Sequence, residues 1–335
     1  MMFNRPVGGI VLSTVIVISR LFSAESNSAD LPQAHNTRPP FRVNVNLINV
    51  PITVLDEKGR PIVGLCLNDF RLFEDDVEQD LQHLIINQQA VDAVLLLDIS
   101  RSVHHELSRI RKAAMHFAKA LGRPSRFSVV TFSDEVEVAR DWTSSLRAVD
   151  KALQRISYGL RTSMYDGICL AAEDRLKDHD GKKAIIMLTD GIDNESHFSF
   201  QQAAEAAIRS QASVYVIGLT NIVQPEIEKI PRIQFVARAL QNLGEKDSIK
   251  KFFDEKRREL EDLSRLTGGR AFFPLGFQEL HEAYGQVADE LKSKAFLTYV
   301  SKNQDTNHPY RKIKVVCRRE DATVLFRAGY YIRAK

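Results

Sequence analysis

The run VDAVLLLDISRS, residues 91–102, decides the architecture. Its first seven residues are apolar at all but one position, which reads as a strand buried on both faces, the habit of a central strand in a parallel sheet. The run then ends in a carboxylate and continues with hydroxyls at positions 100 and 102. Alternate side chains of an extended backbone face the same way, so Asp98, Ser100 and Ser102 converge if the chain stays extended past Leu97. Such a trio is a set of hard oxygens.

Outward from this strand the rhythm is strand, helix, strand, helix. A helix is expected over about 103–121, then the strand RFSVVTFSD (126–134) with a partner, EVEVARDWT (135–143). Helices follow near 146–156 and 165–177, then the strand KAIIMLTD (183–190), a helix near 200–210 and the strand SVYVIGL (213–219). This alternation predicts an α/β fold: a doubly wound, mostly parallel sheet flanked by helices, with ligands outside the carboxyl ends of its strands. Charged helical sequence at 222–266 stops at Gly268-Gly269, before a short strand RAFFP (270–274) and an amphipathic helix over 277–294. On either side lie alternating β segments: FRVNVNLINVPITVLDEKG and the pieces from 61 to 87 before the domain, AFLTYVSK, YRKIKVVCRR and ATVLFRAGYY after it. Isolated ribbons are marginal in water, so these N- and C-terminal strands are expected to join in one small β-sheet or β-sandwich unit, with the α/β domain inserted. The expected division is a leader at 1–24, a linker at 25–40, β segments at 41–89, the α/β domain at 90–294 and closing strands at 295–335.

The formal charge of +3 on 335 residues is small. Basic residues alternate with acids, as in EKRRELEDLSR (255–265), so no nucleic-acid partner is expected. At the N-terminus Arg5 precedes the short apolar run VGGIVLSTVIVIS (7–19) and the small-residue stretch SAESNSA (23–29). That order describes a signal peptide and predicts an exported protein, periplasmic or secreted. Because Arg20 and Phe22 disturb the cleavage region, an uncleaved membrane anchor is the alternative, and no other membrane contact is expected. Cys66, Cys169 and Cys317 have no regular spacing and make no disulfide framework; Cys169 reads as a small core residue, and Cys66 pairs with Cys317 only if their segments are neighbours.

Two further loops carry oxygen donors: GLRTSMYDG (159–167), with Thr162, and TDGIDNES (189–196), with Asp190 at a strand end. Hydroxyls and carboxylates without imidazole or thiolate suit one hard divalent cation, Mg²⁺ or Mn²⁺ before Zn²⁺. The order DxSxS, loop Thr, then TDG resembles the von Willebrand factor type A (VWA) domain and its metal-ion-dependent adhesion site, whose five positions are here Asp98, Ser100, Ser102, Thr162 and Asp190. The likeness covers about residues 90–294, and the flanking β segments are similar to the bacterial VWFA-related acidobacterial-type domains. The resemblance implies that Ser100 and Ser102 ligate the ion directly, Thr162 directly or through water, and Asp98 and Asp190 mostly through water. It also implies that the ion accepts an Asp or Glu carboxylate of a partner protein, and that the helix 277–294 is the counterpart of one that shifts on binding. Arg101, Arg161, Asp193 and Asn194 are candidates for a partner-facing rim, with loop solvation the competing reading of the last two.

Other readings have less behind them. A Ser-His-Asp hydrolase using His104 or His105 lacks a GxSxG elbow, and no glycine-rich turn after the first strand supports a dinucleotide site. A Mg²⁺-dependent phosphohydrolase would use Asp98 as nucleophile with Thr131, Lys151, Asp190 and Asp193, but Ser100 stands where its general acid belongs. The expected function is therefore a non-enzymatic, metal-dependent protein-binding module for adhesion or interaction. The alternative is a structural or assembly module with a vestigial metal site.

Overall fold

The structure is a computed structural model that describes residues 47–86, 90–231, 234, 248–303, 305 and 307–332. Of the chain's two units, the second, Val45–Lys335, is the one considered below. The expected leader, the linker and the start of the first β segment lie outside the described residues.

The first strand, β1 (Leu47–Leu55), ends in a turn that Asp56 holds by accepting from the backbone of Lys58 (2.9 Å) and Arg60 (2.8 Å). Three short strands follow: β2 (Phe70–Glu74), β3 (Val77–Gln79) and β4 (Leu81–Ile85). Then comes β5 (Val91–Asp98), buried at every position. Its continuation is α1 (Leu107–Leu121), β6 (Arg126–Phe132), β7 (Val136–Thr143), α2 (Leu146–Arg155) and α3 (Met164–Cys169), which runs on as a π-helical segment to Leu176. Next are β8 (Lys182–Thr189), α4 (Phe200–Ser210), β9 (Ser213–Gly218), α5 (Thr220–Glu228), α6 (Ser248–Leu266), β10 (Ala271–Phe272) and α7 (Phe277–Ser293). The closing strands are β11 (Ala295–Val300), β12 (Tyr310–Cys317), β13 (Thr323–Phe326) and β14 (Gly329–Tyr331).

The central sheet has the order β10-β9-β8-β5-β6-β7, with every pairing parallel except β6 with β7. Its core is two-sided because successive β5 side chains face opposite ways. Ala93, Leu95 and Leu97 pack with α1, α2 and α7, while Val94 and Leu96 pack with α3, α4 and α6. Leu95, Leu96 and Leu97 are fully buried, each contributing about 2 kcal/mol through apolar burial. From β5 the chain winds first toward β6 and β7, then returns to the other side for β8, β9 and β10. The winding direction therefore reverses between β5 and β8, and the crevice at their carboxyl ends is the expected binding position of such a sheet.

The flanking strands make two antiparallel sheets, β13-β1-β11-β4 and β14-β12-β2-β3. Val50, Ile52 and Leu297 of one face Leu72, Ile313 and Val315 of the other in a shared core, so the flanking segments form a sandwich. The segment ATVLFRAGYY is not continuous: it breaks after Phe326, so that β13 pairs β1 and β14 pairs β12. The segments carrying Cys66 and Cys317 are neighbours, since Arg318 donates its backbone N–H to the Asp69 carbonyl (2.8 Å), and both thiols are free. No helix among the described residues is long and apolar enough to cross a membrane.

At the end of the sheet away from the crevice, α7 is moored by buried charges. Lys182 Nζ donates to the carbonyls of Leu291 (3.3 Å) and Lys292 (2.9 Å), Lys294 to Ser213 Oγ (2.7 Å), and Arg270 to Glu290 (2.8 Å). Burial pulls the Lys182 ammonium down to about 8 and pushes the Glu290 carboxyl up.

Candidate metal centre

Asp98 ends β5 and Asp190 follows β8, so the reversal of winding sets two carboxylates side by side. Both are fully buried. Ser100 is buried as well, while Ser102 is exposed. The expectation that an extended backbone gathers 98, 100 and 102 is corrected here: the strand stops at Asp98, and the chain turns into a 3₁₀ segment, Arg101–Glu106. The cause is local. Asp98 Oδ1 accepts the backbone N–H of Ser100 (2.9 Å), and the Ser100 carbonyl accepts that of Val103 (3.3 Å), an Asx-type reversal that competes with extension. The turn still brings the two hydroxyls together, with Ser100 Oγ and Ser102 Oγ 3.0 Å apart.

The second carboxylate is incompletely satisfied. Asp190 Oδ1 accepts the N–H of Ile192 (3.0 Å), but its Oδ2 is buried without a hydrogen-bond partner. Burial pushes the Asp190 carboxyl above the usual range, and the nearby Ser102 hydroxyl works against that rise. The Asp98 carboxyl is likewise raised, first by burial and then by the Asp190 charge, against hydrogen bonds from Ser100 and Thr189. Among the described residues no Lys or Arg pairs with either one. Two neighbouring buried carboxylates need a cation or protons to offset desolvation and mutual repulsion.

Thr162 is buried on the loop that enters α3, and its carbonyl accepts the backbone N–H groups of Asn194 and Glu195 (both 3.1 Å). Its own N–H donates to Asn194 Oδ1 (3.0 Å). Asp193 Oδ2 in turn accepts from the Met164 N–H (2.7 Å) and the Ser196 hydroxyl (2.5 Å), and Asp166 Oδ1 accepts from the N–H groups of His197 and Phe198 (both 2.9 Å). These bonds clamp the loop after Asp190 onto the start of α3. They bring Thr162 beside that loop, although among the described residues no hydrogen bond joins its hydroxyl to the other four candidates. Of the rim candidates, Asp193 and Asn194 have their oxygens engaged in this clamp. Arg101 is exposed, and exposed Arg161 pairs with Glu195.

Sequence reasoning missed Thr189. Its hydroxyl donates to Asp98 Oδ2 (2.8 Å) and accepts from the Gly191 N–H (3.0 Å), linking the two carboxylate-bearing loops. The available signal was the TDG stretch itself, but its meaning depends on β8 lying beside β5. Gly191 has φ +81°, and a Cβ there would come 2.9 Å from Leu260 of α6, so this glycine serves both conformation and close approach. Of the phosphohydrolase candidates, Thr131 is paired in register with Leu97 and lines a cavity of about 420 Å³, exposed Lys151 lies on α2, and Asp193 belongs to the clamp.

The donor set is hydroxyl and carboxylate oxygen, with one carboxylate oxygen orphaned in the interior. Those features fit a hard divalent cation. Among the described residues no three His, Cys, Asp or Glu side chains converge as a metal cluster, so the hydroxyls are an essential part of this donor set.

The family model of the von Willebrand factor type A domain matches residues 92–263. No curated protein matches the chain. Among solved structures, proximal thread matrix protein 1 of the mussel byssus with a zinc-occupied MIDAS motif is 16% identical, over 66% of this chain and 50% of that one, with a TM-score of 0.46. BatB of Bacteroides thetaiotaomicron is 17% identical, over 61% and 100%, with a TM-score of 0.43. A von Willebrand factor type A protein of Catenulispora acidiphila is 11% identical, over 87% and 75%, with a TM-score of 0.45. The chain spans about half the length of the mussel proteins it matches.

Proposed function

Because the chain belongs to the von Willebrand factor type A domain family, we propose that it is a divalent-cation-dependent protein-binding module rather than an enzyme. The observation that carries this reading is the orphaned Asp190 Oδ2, buried beside buried Asp98 with no cationic side chain among the described residues to neutralise the pair. Ser100 and Ser102 would hold the ion through their hydroxyls, with Asp98, Asp190 and Thr162 completing its surroundings directly or through water. When bound, the ion supplies an electrophilic position open to a partner's Asp or Glu carboxylate. The protein's own part is positional: Thr189 steadies Asp98, and the Asp193 clamp holds the Asp190 loop against α3. Neutral hydroxyls near the ion leave its charge undercompensated, which favours an incoming anion. Export to the periplasm or beyond, by a cleaved leader or an uncleaved anchor, belongs to the same proposal and rests on the 1–24 segment.

Calorimetric titration of Mg²⁺ and Mn²⁺ into the chelator-treated chain tests the site. Saturable binding to the wild type that is lost in Ser100→Ala, Ser102→Ala is the expected result. A folded wild type that ignores about 10 mM of either ion, far weaker than the usual range of protein sites for hard cations, would move the assignment to a scaffold acting through its β-sandwich.

A further inference from the structure

On the flank of the α/β domain, α1, α2 and the start of α7 enclose a cavity of about 500 Å³. Its α1 wall carries three cations, Arg111, Lys112 and Lys119. Lys112 and Lys119 are seven residues apart and so lie on one stripe of the helix. Asp150 is the acid in the lining, and one of its oxygens is already bonded by Gln154 (2.9 Å). Other cations of this chain meet carboxylates, as Arg71 meets Glu78, Arg126 meets Asp92 and Arg209 meets Glu205. The three on this wall have no acidic partner among the described residues.

The rest of the lining is positioned by the packing of the helices. Arg111 is anchored by a hydrogen bond from Nη2 to the Ile156 carbonyl. The rings of His116 on α1 and His281 on α7 lie 5.3 Å apart, centroid to centroid. His281 Nδ1 is 3.0 Å from the Phe277 carbonyl, which assigns its proton to that bond and leaves Nε2 as its remaining nitrogen. Met115 and Leu153 supply an apolar floor.

We propose that this cavity binds a small phosphomonoester, with its dianionic head drawn to the cationic α1 wall and its organic body over Met115 and Leu153. A guanidinium and two ammonium groups on one wall suit a phosphate better than a single carboxylate, because a dianion with several acceptor oxygens can take charge-assisted bonds from more than one of them. The volume lies within the usual range of small-molecule sites and exceeds what bare phosphate fills. This inference is independent of the metal centre.

Its test is calorimetric titration of the full chain with inorganic phosphate and with phenyl phosphate, in metal-free buffer at constant ionic strength. Saturable binding of phenyl phosphate with Kd of about 1 mM or tighter is expected, several-fold tighter than inorganic phosphate. Lys112→Gln, Lys119→Gln alters exposed side chains only and should weaken binding at least about tenfold, whereas Lys250→Gln, Lys251→Gln on α6 makes the same charge change and should not. Absence of saturable binding, or equal weakening in both double variants, would overturn the site. Equal affinities for the two probes would overturn the ester assignment.

Discussion

Replacing Thr189 by Val should disable the metal centre without altering any of its five candidate ligands. The Thr189 side chain is fully buried, donates to Asp98 Oδ2 at 2.8 Å and accepts from the Gly191 N–H at 3.0 Å. Val nearly preserves the volume but removes both bonds. Losing a hydrogen bond to a carboxylate and stranding a buried N–H together cost about 3 kcal/mol. In a folded unit of this size, whose unfolding entropy is about 0.6 kcal/mol/K, that corresponds to a melting temperature lower by about 5 °C. Removal of a group that orients a metal ligand typically weakens metal binding about 10- to 100-fold. Scanning calorimetry of the metal-free protein reads the first effect, and Mn²⁺ titration reads the second. Thr189→Ser is the control: it keeps the hydroxyl, loses one methyl worth about 1 kcal/mol, and should retain metal affinity. If Thr189→Val melts with the wild type and binds Mn²⁺ equally well, the bonds of Thr189 do not hold the centre together.

Three other perturbations probe separate parts of the fold. Gly191→Ala forces a side chain onto φ +81° and against Leu260, and should lower stability by about 2 kcal/mol; an unchanged urea midpoint would contradict this. Asp193→Ala strips acceptors from the Met164 N–H and the Ser196 hydroxyl, so stability should fall by about 2 kcal/mol. Were Asp193 only a partner-facing rim residue, its loss would leave the melting temperature unmoved. Lys182 gives a pH effect whose sign follows from burial: its folded value of about 8 lies below the unfolded 10.5, so between them the unfolded chain holds more protons and stability rises with pH. The penalty is fully present below pH 8 and amounts to about 3 kcal/mol. Unfolding free energies near pH 7.5 and 9.5 should therefore rise more in the wild type than in Lys182→Met, and parallel slopes would rule the effect out.

The fold was legible because its signals are local. Seven residues of β5 with one polar interruption, followed by segments of helical and strand periodicity, select a parallel α/β sheet, and β-type alternation at both ends of the domain selects a second β unit. The break of ATVLFRAGYY between two sheets was not legible, because β13 and β14 have similar local preferences and differ only in their partners. At the candidate site, the residue types and their chain order stand in the sequence, whereas the route that gathers them does not. An Asx-type turn, rather than extension, brings Ser102 to Ser100, because the Asp98 carboxylate captures the Ser100 N–H.

The sequence by itself determined the alternation of strands and helices, the family, and the supply of oxygen donors at strand ends, since each follows from residue type and short-range spacing. Only the tertiary structure decided that Thr189 would steady Asp98, that Asp193 and Asn194 would clamp a loop, and that Asp190 would keep an orphaned oxygen in the interior. These outcomes depend on which distant strands become neighbours and on how completely water is excluded between them. Hydrogen-bond partners and desolvation are properties of the packed assembly, and no window of consecutive residues contains them.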